Sequence, residues 1–510
     1  MKLQADTKSA IQSGWQHGLL ALALVVAVSL VWYGAEGVRG TDQYWYVADV
    51  ERIVSGTPPV TNTYFPGEIL RNNEVPEPNY IHHNSPMLYL VASIASMFPV
   101  YDAWIIANLI CHLLVAFVIY TLSRKFTGAE IAAIVSAFYL ISPIAIWQTL
   151  NPLLEMYYSA LVALVLFCYF NRQLKWAEIA LLGLLLLGVL SHPIFLAPAV
   201  LYSVVWGWEQ KSKPLRVVVP ICIVYFLAIY YSAGQKEVWF PSSFQPSIKA
   251  IIASAVPGES NMFWHYSETL PIVDRELMSR KFVSAVKSHT VEMRFIPFYV
   301  FTNIGIMAGI YLSLFRFRHL SFALIPLGVF GVQYLAMIML QQNHPRFQQI
   351  VVVTTFLLIA FAIKISAVST AFPLRLKYIG MVYAVVICLI GFNGYISHIS
   401  KLQSIQEARD IGHLTAQIKN FKKHDGTRLS VVDVMPHNPL SYVLRPSDVL
   451  FVRTGMLTPQ KIEKSLSIFK PDLIIAPREN KVISAEKYRV IGELKSEMFG
   501  DLVVYSEESK

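Results

Sequence analysis

The sequence predicts a polytopic α-helical membrane protein with a small α/β domain at its C-terminal end. Three observations carry this prediction: the composition, the length of the apolar runs, and the placement of basic residues between those runs. The 510 residues are 55% hydrophobic and 15% charged, and the mean hydropathy is +0.48. Such a composition is typical of a chain that crosses a bilayer several times.

About eleven apolar runs are each close to the length that a helix needs to cross the hydrocarbon core. The two runs on either side of Ser191-His192-Pro193 could instead form one broken helix, which leaves the count open by one or two. The runs are 18–34, 103–122, 131–147, 153–170, 177–190, 193–208, 217–231, 296–314, 320–340, 347–365 and 379–396.

The basic residues between these runs predict the orientation of the chain. With the N-terminus in the cytoplasm, the outer connections carry few cations, chiefly Arg346. This asymmetry follows the positive-inside rule, and an odd number of spans then puts the C-terminal segment outside. The inner connections carry Arg124-Lys125, Arg172 with Lys175, Lys211 with Lys213 and Arg216, Arg316 with Arg318, and Arg375 with Lys377.

Two outer loops of the predicted membrane domain, residues 1–396, are long: residues 35–100 and residues 232–293. The first contains an amphipathic segment around Asp42, then an extended stretch rich in Pro and Asn at 57–80. A short apolar segment follows at 85–98, and it opens with Ser-Pro. Both the Asp42 segment and this apolar segment have the pattern of helices that lie at a membrane interface.

The composition changes after residue 396, and residues 397–510 are predicted to form a soluble α/β domain on the outer side. A helical pattern at 458–469 separates two groups of short β-like runs. The domain has no glycine-rich phosphate loop, which favours a binding or structural role. The β-like runs are 429–434, 449–453, 473–476, 489–494 and 502–505.

The net charge of +9 does not indicate nucleic acid as a partner, because most of the basic residues lie in short connections between apolar runs. The four cysteines all lie inside apolar runs, where they are expected to be small core residues. A disulfide framework or a zinc site is therefore not predicted. The four are Cys111, Cys168, Cys222 and Cys388.

Candidate catalytic carboxylates lie where helices leave the membrane on the predicted outer side, and ionisable groups at such depth indicate function. Asp42 and Asp49 follow the first span, and Glu155 opens the fourth. Each has a structural alternative. Asp42 could cap the interfacial helix, Asp49 could be a solvated face residue, and Glu155 could pair with a neighbouring cation.

Candidate binding residues fall on the same predicted side. His192 and Arg346 lie at outer turns, where the alternatives are a turn histidine and an arginine that snorkels to the interface. An outward-facing arginine also suits a lipid phosphate, because its guanidinium binds phosphate through two hydrogen bonds. His82 and His83 are adjacent, so they resemble a pair of metal ligands only loosely. Tyr44 belongs to the aromatic segment that follows Asp42.

Together these stretches resemble the GT-C class of integral-membrane glycosyltransferases, which includes the protein O-mannosyltransferases and the lipid A aminoarabinose transferase. The resemblance covers residues 15–395. Two departures are visible: Gln43 stands where the class often has Glu, and Asn84 with Ser85 stands where the class commonly has Lys or His with Pro. The matching stretches are 41–48, 84–89, 132–143, 151–158, Ser191-His192-Pro193 and His344-Pro345-Arg346-Phe347.

The resemblance implies that a sugar moves from a polyprenyl-phosphate carrier to a lipid, glycan or protein acceptor at the outer face, with inversion at the anomeric carbon. Asp42 would be the base, and Glu155 would orient the acceptor or help to hold a cation. The bacterial inner membrane is the expected location. No cofactor is implied, and a requirement for a divalent cation is left open. The substrate-binding candidates are Arg346, His192, His83, Tyr44 and Asp49.

Two other classes of function are weighed against this one. A transporter or flippase for a lipid-linked saccharide would place ionisable groups near the midplane on broken helices, often within internal repeats. The sequence shows neither pattern. A polymerase or ligase of surface polysaccharide shares the carrier chemistry and the outer site, so the sequence leaves that alternative open.

Overall fold

The computed structural model of the chain describes residues 2–34, 41–56, 63–75, 85–171 and 173–191. It also describes 429–435, 448–452, 458–480, 488–496 and 500–507, with a few isolated positions elsewhere. The predicted spans from residue 193 onward and the second outer loop lie largely or wholly outside these residues.

The chain divides into two compact units. The first, called here the helical unit, comprises Met1–Ala35, Trp104–Ile229 and Phe282–Leu402. The second, called the sheet unit, comprises Glu36–Ala103, Tyr230–Lys281 and Gln403–Lys510. The sheet unit therefore contains the first predicted outer loop as well as the C-terminal region.

The described helices are numbered here in chain order. They are α1 Lys2–Gly34, α2 Thr41–Val54, α3 Pro66–Asn72, α4 Pro86–Ala95, α5 Val100–Thr127, α6 Ala129–Leu140, α7 Pro143–Leu150, α8 Glu155–Phe170, α9 Ala177–Ser191 and α10 Pro459–Phe469.

Two of the described helices are long and apolar enough to cross a membrane: residues Gly14–Gly34 of α1, and α5. Shorter apolar helices follow as α6, α8 and α9. Within the helical unit α1 packs on α6 and α7, while α8 packs on α9 and α7. At one end of this bundle the Lys125 ammonium donates to the Phe170 carbonyl at 2.6 Å, so the C-terminal ends of α5 and α8 lie together.

The sequence run at 131–147, predicted as one span, forms two helices. Ser142 has extended backbone angles and Pro143 begins α7. The physical reason is the proline ring, which disfavours helical angles at the preceding residue and supplies no N–H to the turn before it. Proline is well suited to the first position of the new helix.

The sheet unit contains a six-stranded sheet with the order β1-β3-β2-β4-β6-β5. The pairs β1–β3, β3–β2 and β2–β4 are parallel, whereas β4–β6 and β6–β5 are antiparallel. The strands are β1 Thr63–Tyr64, β2 Ser430–Asp433, β3 Asp448–Phe451, β4 Leu473–Pro477, β5 Tyr488–Ser496 and β6 Gly500–Glu507.

Successive strand residues point to opposite faces, and each face of this sheet carries its own hydrophobic core. One core packs against α3 and α10 and includes Tyr64, Val432, Ile462 and Phe469. The other is formed around Val431, Val449 and Ile475, among others. Five strands coincide with the β-like runs of the C-terminal sequence. The sixth, β1, comes from the first loop, whose residues 57–80 were predicted as extended but hold both β1 and α3.

The two remaining helices of the first loop, α2 and α4, pack against each other. Both were predicted as helices from sequence. Ser85 precedes α4 with extended backbone angles, and its hydroxyl accepts the Met87 N–H at 3.3 Å, as expected for an N-cap. Their position at a membrane interface stays a prediction.

Candidate functional site

Three of the candidate residues, Asp42, Tyr44 and Asp49, lie on α2. Asp42 is in the first turn of the helix, where the unsatisfied N–H groups of the backbone favour a negative charge. Positions 42 and 49 are seven residues apart, or two helical turns, so they share one face of α2. The two positions therefore lie in one row along α2, and the side chains of Asp42 and Tyr44 lie outside the described residues.

The interpretation of Asp49 as a solvated face residue is wrong. Its side chain is only 2% exposed, and its Oδ1 accepts a hydrogen bond from Arg52 Nη1 at 3.0 Å. The helix that carries it, α2, packs against α4. The second oxygen, Oδ2, is buried and has no hydrogen-bond partner among the described residues.

Burial raises the pKa of the Asp49 carboxyl from 3.8 to about 7, and the adjacent Arg52 guanidinium acts in the opposite direction. Removal of a carboxylate from water disfavours its charged form, which is why burial dominates here. Asp49 thus titrates near neutral pH, and its proposed part in substrate binding stays a prediction.

Glu155 is the first residue of α8 and is 6% exposed. Among the side chains that the structure describes in the helical unit, Glu155 is the one buried carboxylate. The cost of burying such a group within an apolar bundle is high, and it makes Glu155 a candidate for function.

The end of α9 lies beside the beginning of α8. The Tyr158 hydroxyl, one turn from Glu155, donates to the Ser191 carbonyl at 3.4 Å. The Tyr157 hydroxyl is 3.4 Å from Ser191 Oγ. Ser191 directly precedes His192, so the chain enters the predicted outer turn at the Glu155 end of the bundle. The side chain of His192 lies outside the described residues, as do His83 and Arg346.

Asp42 and Glu155 belong to different compact units, the sheet unit and the helical unit. Their meeting in one site therefore stays a prediction, as does the convergence of His192 and Arg346 on it. The structure brings Asp42, Tyr44 and Asp49 onto one helix and sets the first turn of α8, which begins at Glu155, beside the end of α9 at Ser191.

A group of fully buried polar residues near Glu155 was missed by the sequence analysis. Asn108 Nδ2 donates to the carbonyl of Asn151 at 2.7 Å and to those of Gln148 and Thr149 at 3.4 and 3.5 Å. His112 Nδ1 lies 2.9 Å from Thr149 Oγ1. Asn108 and His112 stand four residues apart within an apolar run, and that spacing was the available signal.

The described residues contain no group of three or more His, Cys, Asp or Glu side chains arranged to hold a metal ion. The presence of a divalent cation stays a prediction. Cys111 and Cys168 are buried free thiols of the bundle.

The fold is that of the GT-C glycosyltransferases, as the sequence resemblance predicted, and it is an integral-membrane fold. The comparison covers 96% of this chain and 98% of ArnT from Cupriavidus metallidurans, crystallised with undecaprenyl phosphate, with a TM-score of 0.60 and 14% identity. The same transferase in its apo state matches with a TM-score of 0.55 over 97% of this chain and 98% of that one, again at 14% identity.

The oligosaccharyltransferase AglB from Archaeoglobus fulgidus, in complex with an inhibitory peptide and a dolichol-phosphate, has a similar fold. This match covers 93% of our chain and 70% of AglB, with a TM-score of 0.51 and 13% identity. No protein-family model and no curated protein sequence matches the chain. At these identities the likeness establishes the fold, and the activity has to be argued separately.

Proposed function

We propose that this protein is a glycosyltransferase that moves a sugar from a polyprenyl-phosphate carrier to an acceptor at the outer face of the membrane. The observation that carries the proposal is the fold shared over nearly the full length of both chains with ArnT, a transferase crystallised with undecaprenyl phosphate. Fold alone does not define chemistry, so the residues must supply a compatible site.

The transfer needs a base, an electrophilic carbon and a stabilised leaving group. Asp42 takes the proton of the acceptor hydroxyl as the oxygen attacks the anomeric carbon from the side opposite the carrier. The bond from that carbon to the phosphate oxygen breaks, and the lipid phosphate leaves with the electron pair. The anomeric configuration is therefore inverted.

The leaving phosphate gains negative charge in the transition state, and fixed cations aimed at that charge accelerate the reaction. We assign this role to Arg346, whose guanidinium can bind two phosphate oxygens, with His192 beside it. The helix contact at Ser191 supports the second assignment, because it places the start of the His192 turn near Glu155.

Glu155 orients the acceptor in this proposal. Its burial in the first turn of α8 supports a role for the carboxylate that a solvated residue would not need. Tyr44, His83 and Asp49 complete the proposed substrate contacts. Tyr44 offers an aromatic face on which a sugar ring can stack, and Asp49 lies two turns along α2 from Asp42.

Transfer of a whole lipid-linked glycan is a second candidate, and the shared fold with an oligosaccharyltransferase favours it. It would use the same carrier chemistry and the same outer site. The two candidates differ in the donor, which is a single sugar on a lipid monophosphate in the first case and a preassembled glycan in the second.

The test uses the full-length protein in lipid nanodiscs, supplied with undecaprenyl-phosphate sugars, lipid-linked glycans and membrane acceptors. We expect acceptor-dependent release of the lipid phosphate, and we expect Asp42→Asn and Glu155→Gln each to lower kcat by about 100-fold or more. Flipping of an intact donor without bond cleavage would indicate the transporter class instead.

Matched controls are available for both variants. Asp102 is an exposed carboxylate in the first turn of α5, and Glu178 is a half-buried carboxylate in the first turn of α9. We expect Asp102→Asn and Glu178→Gln to keep the wild-type kcat within about twofold, as for surface changes away from a site. Full turnover by Asp42→Asn with the native donor would refute the assignment of the base.

A further inference from the structure

The strand β1 joins the first loop to the C-terminal sheet. Thr63 pairs with Val449 and Tyr64 with Leu450, so the loop segment forms an edge strand parallel to β3. The pairing is only two residues long, and so short a ladder contributes few hydrogen bonds. Side-chain contacts must therefore supply most of the attachment of β1 to the sheet.

Tyr64 fixes the strand to one face of the sheet. Its ring packs against Phe469 of α10 with the centroids 6.0 Å apart, and its hydroxyl donates to Asp448 Oδ1 at 3.2 Å. These contacts lie entirely between β1 and the C-terminal region. They attach the loop without touching α2.

Phe65 follows directly, and its ring lies among different neighbours because successive strand residues face opposite sides. It is 2% exposed and meets Phe451, at the end of β3, edge to face with centroids 6.1 Å apart. It also meets Trp45 of α2, again edge to face, with the centroids 6.0 Å apart. Phe65 thus links the carboxyl end of β3 to the helix of the candidate base.

The backbone on both sides of Phe65 is constrained. The residue follows β1 directly and precedes α3 with extended angles, and Pro66 begins that helix. In addition, α3 packs against α10, which anchors the segment that follows Phe65 to the C-terminal region. Trp45 stands three residues after Asp42 and four before Asp49, within the same two turns of α2.

We propose that Phe65 is a positioning residue through which the C-terminal sheet holds α2, and with it Asp42, in the geometry that transfer requires. The inference rests on the proposed function and deepens it by giving the C-terminal domain a part in the reaction. A misplacement of about 1 Å at a reacting group can lower a rate by about 100-fold, so a firm attachment of α2 has catalytic value.

The test compares Phe65→Leu with Phe469→Leu in the full-length protein. Each variant removes one buried ring, but Phe65 contacts Trp45 of α2, whereas Phe469 lies on α10 and contacts Tyr64 of β1. We expect Phe65→Leu to lower kcat by about 10- to 100-fold with KM for the donor nearly unchanged. We expect Phe469→Leu to keep kcat within about twofold while lowering the melting temperature by a similar amount.

A second measurement needs no activity. Amide hydrogen exchange across Thr41–Val54 should become faster in Phe65→Leu and stay at the wild-type rate in Phe469→Leu. Equal loss of kcat in both variants, or unchanged kcat and exchange in Phe65→Leu, would overturn the positioning role. If the wild-type protein transfers no sugar, the proposed function fails. The amide hydrogen exchange of the two variants then decides by itself whether Phe65 holds α2 in place.

Discussion

Asn108 in the helical unit and Asp433 in the sheet unit perform the same task with opposite chemistry. Both side chains are fully buried and both hold a chain segment that leaves a regular element. The Asn108 amide donates to the three carbonyls of Gln148, Thr149 and Asn151. The Asp433 carboxyl instead accepts the N–H groups of Met435 at 2.8 Å and Leu440 at 3.2 Å.

The difference follows from what each element leaves unsatisfied. The last carbonyls of a helix such as α7 have no N–H partner one turn further along the helix, so they can accept a hydrogen bond from an outside donor. The neutral amide of Asn108 provides it without placing a charge in the apolar bundle. The segment after β2 presents N–H groups, which need an acceptor. The carboxyl of Asp433 provides two oxygens but remains ionisable, and burial raises its pKa from 3.8 to about 7.

The largest expected effect comes from reversing the role of Asn108. Asn108→Asp replaces the donor with an acceptor that faces three carbonyls, and we expect it to destabilise the helical unit by about 3 kcal/mol or more. Thermal unfolding of the purified protein in detergent measures the loss. Asn108→Leu removes the donor without adding an acceptor, so it should lower the free energy of unfolding by less than Asn108→Asp does. An equal loss in the two variants would contradict the role of Asn108 as a donor to these carbonyls.

A smaller effect is expected from the converse change at Asp433. Asp433→Asn keeps one oxygen for one of the two N–H groups and turns a donor toward the other, at a cost of about 2 kcal/mol. Asp501→Asn, at an exposed carboxylate of β6, serves as the control and should change stability by less than about 0.5 kcal/mol. An Asp433→Asn variant that unfolds at the wild-type temperature, as the Asp501→Asn control should, would contradict the role given to the Asp433 carboxyl.

Taken for one carboxyl group and over one pH unit, the smallest effect is a pH dependence of the stability of the sheet unit. The pKa values of Asp49 and Asp433 are raised from 3.8 to about 7 in the folded chain. Between these values the folded carboxyl keeps a proton that the unfolded one has released. The free energy of unfolding should therefore fall as pH rises through this window, by up to about 1.4 kcal/mol per pH unit for each group.

Chemical unfolding of the full chain at a series of pH values would measure how the free energy of unfolding changes with pH. The series runs from about pH 4 to about pH 7, which are roughly the pKa values of the unfolded and the folded carboxyl. Asp49→Asn and Asp433→Asn should each remove their share of this slope. Asn108→Leu should leave the slope as it is, because the amide does not titrate. A slope that persists in the double aspartate variant would assign it to other groups.

The sequence by itself determined the fold class and the local elements. Long apolar runs with few charges indicate a membrane bundle, and the short β-like runs after residue 428 predict five strands, all of which pair in the sheet. The helix α2 was predicted from the helical spacing of its charged residues, and α4 from a short apolar run that opens with Ser-Pro. The resemblance of the first outer stretches to the GT-C class agrees with the fold found by comparison.

Only the tertiary structure decided that β1 belongs to the C-terminal sheet and that Asp49 is buried. A strand of two residues has no periodicity of its own, because its hydrogen bonds come from β3, almost four hundred residues away along the chain. The burial of Asp49 likewise depends on packing between segments, which its own helix does not specify. Contacts between distant segments leave no local pattern, which is why the link from the sheet to the Asp42 helix was not predicted.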